Sequence, residues 1–513
     1  MKCFMGIDCG TSGIKVVLLS EAGELLGSGY SECDLITPRP GWVEQSPESW
    51  WNTCCEAVKA AVHNSGHGRD VAGIGFSGQM QGCLPLDGEG RPIGNCIIWL
   101  DQRAGQETAE IESLLPDEEA VRLTANHCLN SFWAPKLLWL RNHRPEDFAR
   151  TRKVLFTKDY IRYRMTGEIA TEVSDASLSF FLNVAERRWA PEVFRRLGLD
   201  PALAPERLLE SSEVAGFLLP EIAAEWGLPA GIPVAAGGGD QPVGGVGGGI
   251  VKPGLISSTI GTSGVVFGCT AQPLVDSQRR AIMTMAHAVP GQWCFLGLVL
   301  SAGGTFKWLR DTFFRREKQE YAAKGLDVYD YMTALAEKAR PGCEGLMCLP
   351  YLNGEKTPIT DENARGVLFG LSYRHGPGEI ARSVMEGVTF AMRDTIEICR
   401  SMGLNVSEVR SSGGGAKSPL WRQIQADIYQ ANVVTMNLEE GPAAGAAILA
   451  AVASGYFRDV AEGCDAWLKP VSTTEPIRAN AELYEAYYQT YHQLYADLKQ
   501  TFRSQAEIVE RTL

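Results

Sequence analysis

The sequence predicts an α/β protein made of two related domains, and three observations lead to that prediction. At 513 residues the chain exceeds the size at which a single hydrophobic core stops growing. Strand-like apolar runs alternate with helical periodicities in both halves. The tetrapeptide GTSG occurs twice, at 10–13 and 261–264, each time between two strand-like runs. Coincidence is the alternative in a chain with 55 glycines, but matched units in two halves favour domains at 1–248 and 249–513.

The N-terminal half opens as a three-stranded meander. The runs CFMGI, IKVVLLS and LLGSG are separated by DCGTSG and EAGE, whose Gly and Asp residues are typical of turns. A helix follows Ser46, a suitable N-cap, with Pro47 in its first turn. The strand-like run VAGIGFSG comes next, so this half continues as α/β.

The C-terminal half repeats the same order of elements. GLISSTI and VVFGC flank the second GTSG, and AIMTMAHAV and WCFLGLVL follow as strands. FKWLRDTFF and SPLWRQIQADIYQAN have helical periodicity, the second with Ser418 as its cap. A last helix is predicted to pack through one face that carries Leu483, Tyr487, Tyr491, Leu494 and Leu498.

Composition and charge argue against several functional classes. A net charge of −13 and a pI of about 5.2, without a Lys/Arg cluster, disfavour nucleic acid and anionic membranes as partners. The apolar stretch at 445–455 is too short to span a membrane, and the N-terminus lacks signal-peptide features. Fourteen cysteines without CxxC pairs or Cys/His metal spacing predict reduced thiols, so we expect a cytoplasmic protein.

The first GTSG turn has the composition of a phosphate-binding loop. DCGTSGIK offers backbone N–H groups, the hydroxyls of Thr11 and Ser12, the Lys15 ammonium and the Asp8 carboxylate. Amides and hydroxyls suit phosphate oxygens, and a carboxylate beside them suits a phosphate-bound Mg²⁺. A plain tight hairpin with Asp8 capping the turn is the alternative.

The stretch SSGGGAKSP at 411–419 is a second candidate. It is not a P-loop, because Ser411 and Ala416 occupy the positions where that motif needs glycine. A glycine-rich turn that enters a helix N-terminus nevertheless favours a nucleotide phosphate. A loop-to-helix junction without a ligand is the alternative.

Asp240 is the single acid in the glycine-rich stretch AAGGGDQPVGGVGGGIVKPG, residues 235–254. It follows a short apolar run and so lies at the C-terminal end of a predicted strand, where open α/β sheets bind ligands. Its carboxylate could accept a proton from a substrate hydroxyl. As an alternative, Asp240 caps a helix with Pro242 at its start. The glycines would weaken such a helix, and they predict close approach of two bodies and a hinge beside a cleft.

Eight ordered segments resemble the FGGY carbohydrate kinases, most closely those that act on xylulose. They are MGIDCGTSGIK, GFSGQMQG at 75–82, IIWLDQRA at 97–104, APKLLWLRNH at 134–143, KDYIRYRMTGE at 158–168, GGGDQP at 237–242, STIGTSG at 258–264 and SSGGGAKSPLWRQIQAD at 411–427. The resemblance covers essentially the whole chain and implies the actin-like ATPase fold, with two ribonuclease-H-like domains around a cleft. It implies transfer of the γ-phosphoryl group of ATP to a small sugar, in the first place D-xylulose to D-xylulose 5-phosphate.

The resemblance also implies roles for individual residues. Asp240 would be the general base, and Asp8 would orient Mg²⁺, largely through water. The residues expected to bind the sugar are Met80, Gln81, Trp99, Asp101, Asp240 and Gln241. The residues expected to bind ATP are Gly10, Thr11, Ser12, Lys15, Gly261, Thr262, Gly303, Lys307, Gly414, Gly415, Ala416 and Ser418. A homodimer is a further expectation.

Two residues depart from the family pattern near the expected sugar pocket. Gln81 replaces the His of SGQMHG, and a Gln amide donates a hydrogen bond as neutral His does but carries no charge. Kinases of ribulose, L-xylulose, gluconate or glycerol therefore stay open as alternatives. Trp133 stands where relatives have a small Ser or Thr, so it either reshapes a pocket wall or is a core aromatic.

Two functions of other classes also stay open. One is an ATPase of the Hsp70 or filament type, but only a short helical tail follows residue 455, without an appended peptide-binding domain. The other is a sugar sensor without turnover. Such a protein would have no need of both Asp8 and Asp240, so we favour the kinase.

Overall fold

Strands and helices alternate along the chain, which the computed structural model describes at residues 1–276, 281–438 and 440–512. The strands are β1 (Cys3–Cys9), β2 (Gly13–Ser20), β3 (Leu25–Glu32), β4 (Glu44–Gln45), β5 (Val71–Gly78), β6 (Leu84–Leu86), β7 (Cys96–Ile97), β8 (Lys153–Leu155), β9 (Thr171–Glu172), β10 (Leu182–Asn183), β11 (Arg188–Trp189), β12 (Leu208–Leu209), β13 (Val214–Phe217), β14 (Pro233–Ala235), β15 (Gly238–Gly239), β16 (Ile256–Ile260), β17 (Gly264–Thr270), β18 (Met283–Ala286), β19 (Trp293–Val299), β20 (Met347–Leu349), β21 (Val367–Phe369), β22 (Glu408–Gly413), β23 (Asn432–Met436) and β24 (Pro470–Thr474).

The helices pack on both faces of the sheets, and short 3₁₀ turns lie at Gly68–Asp70, Pro201–Leu203 and Cys343–Gly345. The α-helices are α1 (Pro47–Ser65), α2 (Gly105–Leu114), α3 (Asp117–Thr124), α4 (Trp133–His143), α5 (Pro145–Arg150), α6 (Thr157–Thr166), α7 (Val173–Ala176), α8 (Pro191–Arg196), α9 (Pro220–Trp226), α10 (Asp240–Gly247), α11 (Gly303–Phe313), α12 (Arg315–Ala322), α13 (Val328–Lys338), α14 (Pro377–Ser401), α15 (Gly414–Lys417), α16 (Pro419–Tyr429), α17 (Gly441–Ala453), α18 (Val460–Trp467) and α19 (Arg478–Thr512). The predicted caps of α1 and α16 are confirmed, because the Ser46 and Ser418 hydroxyls each accept a bond from the backbone three residues on.

Two mixed sheets share one strand order. In the first, β1, β2 and β3 form the predicted antiparallel meander, and β5 and β14 add in parallel on the other side of β1. In the second, β16, β17 and β19 form the antiparallel part, and β22 and β23 add in parallel beside β16. The strands of the first sheet end at Gly239, and those of the second begin at Ile256. An α/β protein with two related halves is therefore confirmed.

Helix α17, from the C-terminal half, lies directly on the first sheet. It packs on β1 and β5 and crosses α10. A Cβ atom at Gly6 or Gly75 would overlap the carbonyl oxygens of Ala443 or Ala446, so only glycine at these strand positions allows the approach. The two halves are joined through this helix and through a buried apolar cluster that includes Trp133 and Phe267.

Helix α19 packs on the second half through a face displaced from the predicted one. Tyr491 and Leu494 are buried as predicted, but Leu483 is 41% exposed, so that part of the prediction is wrong. Tyr484 and Tyr488 take its place, because their hydroxyls donate to the buried carboxylates of Glu386 and Asp394 at 2.6 Å. A hydropathy pattern favours leucine at buried positions and does not show where a buried carboxylate needs a hydroxyl donor such as tyrosine.

Two further features bear on the expected environment of the protein. Among the described residues, none of the helices has the length and apolar character that a membrane span requires. All fourteen cysteines are free thiols.

Candidate active site

Three neighbouring strands bring the two predicted catalytic acids to one edge of the first sheet. β1 and β15 both run parallel to β5, and Ser77 of β5 pairs with Asp8 on one side and Gly238 on the other. Asp240 follows β15 directly. The carboxyl ends of parallel strands meet at one edge, so Asp8 and Asp240 converge where such sheets bind ligands.

Asp240 is the first residue of helix α10, and Gly239 holds the N-cap position. The alternative in which Asp240 caps a helix with Pro242 at its start is therefore wrong, because the helix begins two residues earlier. The backbone and side-chain amides of the neighbouring Gln241 favour the ionised form of the Asp240 carboxyl and so oppose the rise of its pKa. Asp240 itself is partly buried, so its carboxylate keeps some access to solvent.

The electrostatics of the two acids are coupled. Burial, and secondly the nearby Asp8 carboxylate, raise the pKa of Asp240 to about 7. Burial also raises the pKa of Asp8, against the opposing effects of the Ser77 hydroxyl, which donates to it at 2.8 Å, and of Lys15. Two carboxylates share a site in which one cation or one proton would relieve their repulsion.

The second GTSG turn lies against two of the predicted nucleotide segments. The backbone N–H of Gly304 donates to the Thr262 carbonyl at 2.9 Å, and a Cβ atom at Gly303 would overlap the carbonyl of Gly261. A Cβ atom at Gly415 would likewise overlap the Ile260 side chain. The segments at 261–262, 303–304 and 413–416 therefore form one surface of bare backbone, which suits phosphate and a planar base.

Family models match both halves of the chain. The model of the FGGY family of carbohydrate kinases, N-terminal domain, matches residues 3–247, and that of the C-terminal domain matches residues 256–454. The chain belongs to the FGGY family of carbohydrate kinases. Kinases of this family phosphorylate sugars with ATP, so the sugar-kinase prediction is confirmed at that level, and the Hsp70 and filament alternatives fall away.

The similarity to known proteins and solved structures covers nearly the whole chain. The chain is 38% identical to a xylulose kinase of Escherichia coli strain K12, over 96% of this chain and 99% of that protein. A xylulose kinase from Rhodospirillum rubrum matches with a TM-score of 0.88 at 27% identity, covering 98% and 100%. A gluconate kinase from Lactobacillus acidophilus matches with a TM-score of 0.90 at 25% identity, covering 98% and 99%. The predicted actin-like ATPase fold is confirmed.

The predicted sugar loop of this FGGY kinase is tightly built. Gln81 has a φ of 68°, in the left-handed region that glycine prefers. Met80 packs against Gly239, where a Cβ atom would overlap its thioether. Trp133 is a buried core aromatic stacked on Phe156, and its indole N–H donates to the Gly82 carbonyl at 2.6 Å. Of the two interpretations of Trp133, the core aromatic is confirmed.

Trp99 is hydrogen-bonded to the first GTSG turn, the predicted phosphate loop. Its indole N–H donates to the Thr11 hydroxyl at 2.9 Å, while its ring stays 42% exposed. The same hydroxyl donates to Gln79, whose amide donates in turn to Gln45 at 2.6 Å. The Thr11 side chain therefore links Trp99 to Gln79 within the protein, and its role toward ATP stays a prediction.

The Asp101 carboxylate is hydrogen-bonded to other residues of the same chain. Its carboxylate takes a bidentate pair of bonds from Arg103 at 2.7 and 2.9 Å, and accepts from the Val43 backbone at 2.6 Å. The Arg103 guanidinium is itself enclosed between Trp42 and Trp139. A role of Asp101 in sugar binding stays a prediction. In the structure, its bonds to Val43 and Arg103 stabilise the segment that carries Trp99.

Three of the predicted ATP-binding side chains have distinct surroundings. Lys15 forms an ion pair with Glu440, just before helix α17, and so links strand β2, next to the first GTSG turn, to the other half. The Ser418 hydroxyl is used as a helix cap. Lys307 is exposed on helix α11.

Several supporting residues were not predicted from the sequence. Ser77, Gln79 and Gln45 hold Asp8 and Thr11, and the segment 174–177 contacts both the sugar loop and the strand before Asp240. Ser77 and Gln79 stand inside the quoted GFSGQMQG segment, so their position offered a signal. The others act across long sequence distances that no local pattern reveals.

Proposed function

We propose that this FGGY kinase converts D-xylulose to D-xylulose 5-phosphate, with Asp240 as the general base. The observation that supports the proposal most is the placement of Asp240 beside Asp8, at the edge where the parallel strands of the first sheet end. The similarity to xylulose kinases over nearly the whole chain supports the substrate.

The chemistry needs a base of only moderate strength. Phosphoryl transfer has a loose transition state, so positioning and charge stabilisation matter more than proton abstraction. Asp240 would take the proton of the attacking sugar hydroxyl as the oxygen bonds to the γ-phosphorus and the bond to ADP breaks. Met80, Gln81, Trp99 and Gln241 would orient the sugar, with Asp101 behind them.

ATP would lie across the backbone surface that both halves build. Gly10, Ser12 and Lys15 would face the phosphates from the first half, and Gly261, Thr262, Gly303, Gly414, Gly415 and Ala416 from the second, with Lys307 at the rim. Asp8 fits a hydrated Mg²⁺, since this ion prefers one or two carboxylates plus phosphate oxygens and keeps several waters. When bound, Mg²⁺ would neutralise charge on the phosphates.

An ADP-release screen over ketopentoses, polyols and hexonates tests the substrate. Gln81 and the similarity to a gluconate kinase favour including gluconate beside D-xylulose. Fastest turnover with D-xylulose supports the proposal, preference for another sugar overturns that substrate, and no turnover with any sugar supports the sensor alternative.

Gln81→Ala is expected to raise KM for the sugar about tenfold, because the pocket loses one hydrogen-bond donor to a hydroxyl. Gln81→His keeps a donor and should stay within about threefold of the wild type. Steady-state kinetics with KM for ATP as the internal control check this. Equal sugar KM values in all three proteins would remove Gln81 from the pocket.

The pH dependence of kcat/KM is expected to report Asp240. A base must be deprotonated, so with a pKa of about 7 the rate should fall about tenfold per unit below pH 7 and level off above it. Asp8→Asn removes a like charge, which lowers the pKa of Asp240 and moves this acid limb to lower pH. A limb that stays in place would contradict the coupling.

Three further properties belong to the proposal. The boundary between domains would lie at 248/249, and the protein would form a homodimer, which sedimentation tests. Free thiols at all fourteen cysteines support a reducing, cytoplasmic environment.

A further inference from the structure

The short segment 174–177, around helix α7, touches three separate parts of the kinase. The Ser174 hydroxyl accepts from the Gly239 backbone at 3.0 Å, immediately before Asp240. The Asp175 carboxylate accepts from the Gln81 backbone at 3.1 Å. The side chains of residues 174–177 are all fully buried.

The third contact reaches the other half of the molecule. The Ser177 hydroxyl accepts from the backbone N–H of Ala286, on strand β18 of the second sheet, at 2.9 Å. One turn of chain therefore joins the base, the sugar loop and the second sheet. Rigid support of this kind is what holds catalytic groups within a fraction of an ångström.

A buried charge cluster holds Asp175 itself in place. Lys158 lies 3.1 Å from the carboxylates of Asp159, Glu172 and Asp175, and all four side chains are inaccessible to solvent. Glu172 also accepts from the backbone N–H groups of Ser174 and Asp175 at 2.5 and 2.9 Å. Buried charges persist where they are paired and hydrogen-bonded in this way.

Gln81 is the residue that most needs such support. Its φ of 68° is unfavourable for a side chain with a Cβ atom. The Gln81 N–H donates to the Asp175 carboxylate, and the Gln81 carbonyl accepts from the Lys136 ammonium at 2.8 Å. Both backbone polar groups of Gln81 are therefore hydrogen-bonded. These two hydrogen bonds fix the backbone of Gln81 and so the direction in which its side chain leaves the loop.

We propose that Ser174 and Asp175 are positioning residues for sugar phosphorylation, Asp175 aligning Gln81 for sugar binding and Ser174 aligning Asp240 for proton transfer. This rests on the proposed roles of Gln81 and Asp240. The Asp175 part of the proposal predicts an effect on sugar affinity and the Ser174 part an effect on kcat, a separation that a general loss of stability would not produce.

The Asp175 arm is tested by a double-mutant cycle on sugar binding. Calorimetry without ATP, with the sugar that the wild type phosphorylates fastest, gives Kd for the wild type, Asp175→Ala, Gln81→Gly and the double variant. Introduced alone, Asp175→Ala should raise Kd about tenfold; added to Gln81→Gly, it should raise Kd less than about twofold. The reason is that glycine adopts a positive φ without support and has no side chain to align. Additive effects on Kd, or none from Asp175→Ala, would overturn this arm.

The Ser174 arm is tested by the split between kcat and KM. Ser174→Ala should lower kcat about tenfold with a sugar KM within about twofold, since a slight displacement of the base costs rate more than binding. Ser179→Ala is the matched control. Ser179 is equally buried, but within the described part of the chain its hydroxyl bonds only to the backbone of Ala176 and Phe181. Equal kinetic effects of the two variants would overturn the arm. Failure of Asp240 as base would leave the Kd cycle interpretable, so the two proposals can fail separately.

Discussion

Replacement of Asp240 by Asn is expected to lower kcat for sugar phosphorylation by about 10³-fold, within the range that general base catalysis contributes. The amide keeps the shape of the side chain but cannot accept the hydroxyl proton. Removal of the negative charge also relieves the repulsion with Asp8, so ATP binding should be retained or slightly tightened. Coupled ADP release and calorimetry with ATP measure the two effects separately.

Asp240→Glu is the informative companion to this variant. It retains the carboxylate but moves it by one methylene group, so it should recover part of the lost rate while its pH profile keeps an acid limb. Near-normal turnover in Asp240→Asn would remove Asp240 as base. A loss of ATP affinity equal to the loss of rate would instead indicate a collapsed cleft.

Much of this site could be predicted because its residues lie at element ends. Asp8 and Asp240 each follow or end an apolar strand, and the topology of a parallel pair brings such ends together without further information. The two GTSG turns likewise carry their own signal in glycine and hydroxyl residues. Local pattern and global fold agree at these positions, as in sequences that fold to one structure.

The partners of these residues could not be predicted in the same way. Asp101 stands in a segment that resembles the family, yet its charge is taken up by Arg103, only two residues on. Ser174 and Gly239 are 65 residues apart, and their hydrogen bond depends on how two strands and a helix pack. Hydropathy and spacing describe one element at a time, whereas such contacts belong to the tertiary structure.

The glycines after Asp240 have a packing role that the structure makes specific. Helices α10 and α17 cross with backbone against backbone: a Cβ atom at Gly247 would overlap the Gly441 carbonyl, and one at Gly445 would overlap the Val243 carbonyl. Close approach of two bodies was predicted from the composition of this stretch, and the helix crossing confirms it. The low helix propensity of glycine is offset by contacts that no larger residue permits.

Gly247→Ala is expected to destabilise the kinase by about 1–3 kcal/mol, because one methyl group forces the two helices apart at a fully packed crossing. Gly244→Ala, in the same helix, places its methyl group 3.4 Å from the Pro442 ring, an ordinary contact. It should be neutral or stabilising by about 0.5–1 kcal/mol, the usual preference of a helix for alanine. Thermal and urea unfolding of the two variants provide the comparison.

The same pair of variants separates packing from catalysis. Asp240 begins the helix that Gly247 ends, so a helix pushed outward carries the base with it, and a shift of about 1 Å can cost 100-fold in rate. Gly247→Ala should therefore lose kcat at temperatures where it is still folded, whereas Gly244→Ala keeps it. Equal stability and equal kcat in the two variants would show that the crossing tolerates a side chain, and the glycines would then need a different explanation, such as rotation between the halves.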